Sequence, residues 1–105
     1  MSGMAPAGIK VELEALARLL AAGHLRECGG WSEAQNRADE DVSLWRRARG
    51  THQDSIEIVP AALFHLVDAA ANALRHCVVE RGSWADQVTL DVAVFGQLCR
   101  DQSGW

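Results

Sequence analysis

The chain predicts an all-α, single-domain fold of four helices in a bundle-like arrangement. Three observations carry that expectation. Residues 59–81 hold apolar side chains at helical spacing around most of a circumference. Residues 9–28 and 84–100 each carry a further apolar stripe at spacings of three and four. Helix-opening residues, Ser32, Pro60 and Ser83, stand at the starts of three of the segments. With 105 residues, 49% apolar and 23% charged, the chain is long enough for one core without disulfide or metal staples, burying roughly two thirds of its unfolded surface.

Residues 1–8, with Gly3, Pro6 and Gly8 as breakers, read as a frayed start, and residues 102–105 as a frayed tail. The first helix is expected from about Ile9 to Cys28. Ile9, Leu13, Leu16, Ala17, Leu20 and His24 form its inner stripe, Glu14, Arg18, Ala22 and Arg26 its outer side, and Gly29–Gly30 its stop. The second helix opens at Ser32, where Gln35 completes a capping-box pattern, and reaches Arg49 before Gly50. Its apolar stripe is thin: Ala34, Ala38, Val42 and Trp45. Glu33, Asp39, Glu40 and Asp41 come early and Arg46, Arg47 and Arg49 late, which suits the helix dipole.

Residues 51–58 read as a connector. Ser55–Val59 alternates like a strand, but a lone strand has no partner, so an extended linker is expected. The third helix follows from Pro60, with Leu63, Leu66, Val67, Ala70, Leu74, Cys77 and Val78 as its stripe and Gly82 as a left-handed stop. It is expected to be the central rod, wrapped by the other segments, with the second helix along an edge. The fourth runs from Trp84 to about Arg100 on Val88, Val92, Phe95 and Cys99, with Leu98 adding to the stripe. The alternation of Val88, Leu90, Val92 and Val94 keeps an alternative open: an α+β fold with a short βαβ unit over residues 55–95.

Charge and motifs narrow the function classes. Net charge is −4, which argues against a general nucleic-acid binder. Residues 1–8 lack the charged and apolar regions of a signal peptide, and no apolar run approaches the roughly 20 residues that span a bilayer. Three cysteines without CxxC spacing make no disulfide framework, so a reducing cytoplasm is expected, with no membrane partner. His24 and Cys28 share a helix face at a spacing that can hold two zinc ligands, and His76–Cys77 or Cys99 could complete a set of four, but no CxxC or HxxxH pair exists and residues 76 and 77 diverge by about 100° on a helix, so no metal or cofactor is expected. Cys77 and Cys99 sit on core stripes where thiols are inert, and His52 with Asp54 is an ordinary connector pair. No nucleophile elbow, phosphate loop or HExxH motif is present, so no catalytic residues and no enzyme are expected.

What remains is recognition. Trp45 beside Arg46, Arg47 and Arg49 has the composition of an interface hot spot, and Asp39, Glu40 and Asp41 could meet a basic partner. Val42–Arg47 resembles the end of a recognition helix in helix-turn-helix proteins. The turn that would precede it is missing, and Asp39–Asp41 stand in its place.

The expectation is therefore a small non-enzymatic cytoplasmic interaction protein: a regulator, adaptor or inhibitor. It docks on another protein or a nucleoprotein complex through the second helix, with Trp45, Arg46, Arg47, Arg49, Asp39, Glu40 and Asp41 as the contact residues. A helical DNA-binding regulator using Trp45–Arg49 is one alternative, with direct nucleic-acid contact. A bacterial, phage or mobile-element inhibitor of the anti-defence or immunity type is another, suggested by small size, an arginine-rich composition of the kind a GC-rich coding sequence gives, and the absence of a motif. Self-association into a homo-oligomer through exposed alanine and valine faces is also expected.

Overall fold

The structure, a computed structural model, describes residues 8–49, 54–77 and 82–103. Their order is β1 (Ile9–Glu12), α1 (Leu13–His24), α2 (Trp31–Arg49), β2 (Ser55–Ile58), α3 (Pro60–His76) and α4 (Ser83–Ser103). Four helices in a bundle-like arrangement are as expected, and a small two-stranded sheet is added to them.

The sheet corrects both the first helix and the linker. Residues 9–12 leave the helix that the spacing of Ile9, Leu13 and Leu16 suggests and pair antiparallel with β2. The register sets Ile9 against Ile58 and Val11 against Ile56, all four buried, while Lys10 faces Glu57 on the solvent side. Ile9 and Val11 are β-branched and alternate with charged residues, so the strand buries both, as a two-sided ribbon requires. The Leu13 N–H extends the pairing to the Asp54 carbonyl at 2.7 Å. The partner of residues 55–58 is thus β1. Residues 88–95 lie inside α4, and no βαβ unit forms among the described residues.

The hub is α1 rather than α3. Helix α1 touches α2, α3, α4 and β1, and it buries Ala15, Leu16, Leu19, Ala21 and Ala22, residues spread around most of its circumference. Ala22 and Arg18, expected outside, both face neighbours. Helix α3 packs between α1 and α4, as expected, but on one stripe only: Pro60, Leu63, Val67, Ala70 and Ala73 are buried, while Ala61, Ala62, His65, Asp68 and Ala69 are exposed. Alanine permits close approach but does not demand it, so an alanine-rich surface is a poor guide to burial. In α1 the alanines are used: Ala21 meets Ala34 and Ala38 of α2 in a fully buried contact.

Helix boundaries shift for local reasons. Helix α2 starts at Trp31, with the Ala34 N–H bonded to Gly30 O at 3.1 Å, and the Gly29 N–H donates to Glu33 Oε2 at 2.7 Å. Glu33 thus makes the back-reaching bond expected of Gln35, and Ser32 lies inside the helix and does not precede it. Pro60 opens α3 as expected, but that helix ends at His76, where Cys77 turns to extended backbone (φ −94°, ψ 147°). Gly82 instead helps open α4, accepting from the Asp86 N–H at 3.1 Å. The expectations for residues 1–7, 50–53, 78–81 and 104–105 lie outside the described residues.

Helix α4 buries Ala85, Val88, Gly96 and Cys99, with Trp84, Val92 and Phe95 half-buried, so its expected stripe stands. Leu98 instead faces outward. Gly96 faces α3, and a Cβ added there would lie 3.7 Å from Val67 Cγ1.

Candidate functional site

Helix α2 is the most polar helix and touches the bundle mainly through α1. It buries Ala34, Ala38 and Val42, one side chain per turn, and leaves the rest of its circumference largely to solvent. Its expected contact residues fall on three different surfaces.

Trp45 continues the buried stripe. It is half-buried and packs against the main core cluster, which restricts its exposed edge. Arg46 turns toward the sheet, where it lines a groove of about 780 Å³ with Lys10, Glu12, Glu14 and Asp54. Arg47 points the other way, into a shallow depression of about 410 Å³ on the outer side of α2, lined by Asp39, Glu40, Ser43 and Leu44. Adjacent helical residues diverge by about 100°, so Arg46 and Arg47 do not form one basic patch. The side chain of Arg49 lies outside what the structure describes. Asp41 is half-buried, with Oδ2 2.8 Å from Nε2 of His24 on α1. Of the acidic trio, Asp39 and Glu40 stay exposed.

Sequence spacing puts Leu44 near one margin of the apolar stripe, but the structure turns it outward. It is 58% exposed, among the most exposed large apolar side chains of the described residues, and Glu40 and Arg47 flank it at one helical turn on either side. Its signal was present, since an apolar residue off the Ala34–Ala38–Val42 line has no core to enter.

A second groove, of about 420 Å³, runs where α1, α2 and α4 meet. Trp31, the first residue of α2, and Trp84, the second of α4, stack there with ring centroids 3.9 Å apart and planes within 10°. Glu14, Gln35, Asp39 and Gln87 line its rim. Arg18 spans one side of it, donating to Asp91 on α4 from Nε (2.7 Å) and Nη2 (3.2 Å). That bond, with help from the charges of Asp91, Glu14 and Glu12, raises the Arg18 pKa above its ordinary value despite partial burial.

The chemistry of bond-making side chains is sparse. Among the described residues no three His, Cys, Asp or Glu side chains come together as a metal site. Cys99 is fully buried, and burial pushes its thiol up, away from the reactive thiolate. Cys28 and Cys77 are half-buried, and the three cysteines are unbonded to one another. Among the described residues no helix is long and apolar enough to cross a membrane. No family model, curated protein or solved structure matches the chain.

Proposed function

We propose that this chain is a non-enzymatic interaction protein of the cytoplasm, a regulator, adaptor or inhibitor that docks on another protein through the outer side of α2. The observation that carries the reading is the ridge Glu40–Leu44–Arg47, an exposed apolar residue between opposite charges on a helix that gives the core so little. An apolar centre inside a charged rim is the usual anatomy of a small recognition patch. Leu44 takes the central role there in place of Trp45, which packs on the core. Asp39, Glu40 and Arg47 supply the rim, while Arg46 faces the sheet and stands apart from it. Asp41 steadies the helix through His24.

Site-specific crosslinking in cells tests this. A photoreactive residue at position 44 is expected to capture one dominant protein, and the same residue at His65, on the exposed side of α3, is expected to capture none of it. Leu44→Glu is expected to abolish capture from a neighbouring exposed position, Ser43, while the variant keeps its helical content. Equal capture at positions 44 and 65, or capture by the folded Leu44→Glu chain, would overturn the reading.

A further inference from the structure

Helix α4 carries a second apolar ridge on the side away from the core. Leu90, Val94 and Leu98 follow one another at steps of four and are 64%, 53% and 37% exposed. The neighbouring Ala93 is exposed too and too small to obstruct an approaching helix. Nothing among the described residues covers this ridge, and it belongs to a different helix from the α2 patch.

The charges beside the ridge identify what fits it. Asp86 and Arg100 are fourteen residues apart, about four helical turns, so with Ala93 they lie along one flank of the ridge. The flank thus has an acid at its N-terminal end and a base at its C-terminal end, and both are exposed. Turned end for end about Val94, a second copy places its Arg100 beside Asp86 and its Asp86 beside Arg100. In the same register Leu90 meets Leu98, Leu98 meets Leu90, and Val94 meets itself. Asp101 closes the ridge. It is held by a hydrogen bond from Gln97 Nε2 at 2.9 Å, and it comes opposite the amide of Gln87, which can donate to it. A parallel twofold pair would instead carry this flank to the opposite side of the ridge, so that Asp86 and Arg100 of the two copies would not meet.

We infer that this face is a twofold, antiparallel α4–α4 interface between two copies of the chain. Self-complementarity of both the apolar ridge and its charged flank is what a closed twofold contact requires. The contact from Asp86 to Arg100 extends only about 21 Å along the helix at 1.5 Å per residue, so the dimer is weak, at the small end of specific interfaces. It leaves the α2 patch free, and its fate is independent of the docking reading.

Sedimentation equilibrium of the full chain, carried to millimolar concentration, is expected to show monomer passing into dimer and no larger species. Val94→Glu places two like charges face to face on the twofold axis and is expected to weaken the dimer at least about 100-fold. Because position 94 is solvent-exposed in the monomer, the variant's circular dichroism and melting should match the wild type. Asp86→Arg and Arg100→Asp are each expected to weaken the dimer, and the two combined in one chain to bring it back to within about threefold of the wild type, since opposite charges then meet again. A wild-type chain that stays monomeric at millimolar concentration overturns the inference. So does a dimer indifferent to Val94→Glu, or a double charge swap that fails to restore association.

Discussion

Arg18 and Asp91 hold α1 and α4 together through a two-pronged bond: Nε to Oδ2 at 2.7 Å and Nη2 to Oδ1 at 3.2 Å. They are 73 positions apart in the chain, and both are partly shielded from water. Paired prongs of this kind fix orientation as well as distance, which a lysine in the same place would not do. Removing the acid leaves a shielded guanidinium without its acceptor. Asp91→Ala is therefore expected to cost about 2 kcal/mol in denaturant unfolding, and Arg18→Lys to recover less than half of the bond's contribution. The raised Arg18 pKa means the pair's contribution is complete below the ordinary arginine range and is lost only as pH climbs through the still higher folded value. Stability between neutral and moderately alkaline pH should therefore show no loss traceable to this pair, which a pH series on the wild type and Asp91→Ala would check.

Val11 separates a strand from a helix at the start of the chain. On the helical stripe of Ile9, Leu13 and Leu16 it would lie off the buried side, whereas in β1 it is fully buried opposite Ile56. Val11→Ala is expected to destabilise by about 2 kcal/mol through lost burial and the cavity left behind. Lys10→Ala, on the solvent side opposite Glu57, should cost under about 0.5 kcal/mol. Equal, small effects at both positions would refute the sheet.

Gly96 offers a gain in stability. A Cβ there would sit 3.7 Å from both Val67 Cγ1 and Arg100 Nη2, which is ordinary contact. Gly96→Ala relieves the entropy cost of a mid-helix glycine and should stabilise by about 0.5–1 kcal/mol. Gly96→Leu drives further atoms toward Val67 and should lower the melting temperature instead.

The Trp31–Trp84 stack gives an optical handle on the join between the starts of α2 and α4. Two indoles with centroids 3.9 Å apart and planes within 10° should couple, giving a split band in circular dichroism. Trp84→Phe keeps a ring but should abolish the split band. Trp84→Ala should also cost about 2 kcal/mol, as the ring is half-buried and the pair adds to its area term. A spectrum unchanged by either substitution would argue against the stack.

Much of this architecture was legible in the chain. The thin stripe Ala34–Ala38–Val42 and the wider one, Val88–Val92–Phe95–Cys99, place α2 and α4 correctly, because a 3.6-residue period sustained over many residues marks one buried helical face. Ile9 and Leu13 mislead because a residue at a strand's start and one at the next helix's start can both be buried while fitting a helical spacing by chance. Ser55–Ile58 alternates plainly, but its partner was hidden inside the segment read as helix. The polar relationships were less visible. Arg18 reads as an outer charge until Asp91, far along the chain, is known to face it, and Asp41 reads as free until His24 does. The split between Arg46 and Arg47 could have been read from helical geometry, since neighbours on a helix do not share a face. The outward ridge of Leu90, Val94 and Leu98 could have been read too, once Val88 and Cys99 fixed the inward side.

The placement of α1 bears on the birth of the molecule. As the ribosome releases the chain from its first residues onward, the helix that every other helix leans on emerges ahead of its covers. Leu16 and Leu19 must wait for α3 and α4 before water is shut out, and β1 must wait for residues 55–58 before its backbone finds a mate. A translation stalled before α4 would leave a greasy, half-clad intermediate, a natural client for holding chaperones and a ready seed for clumping.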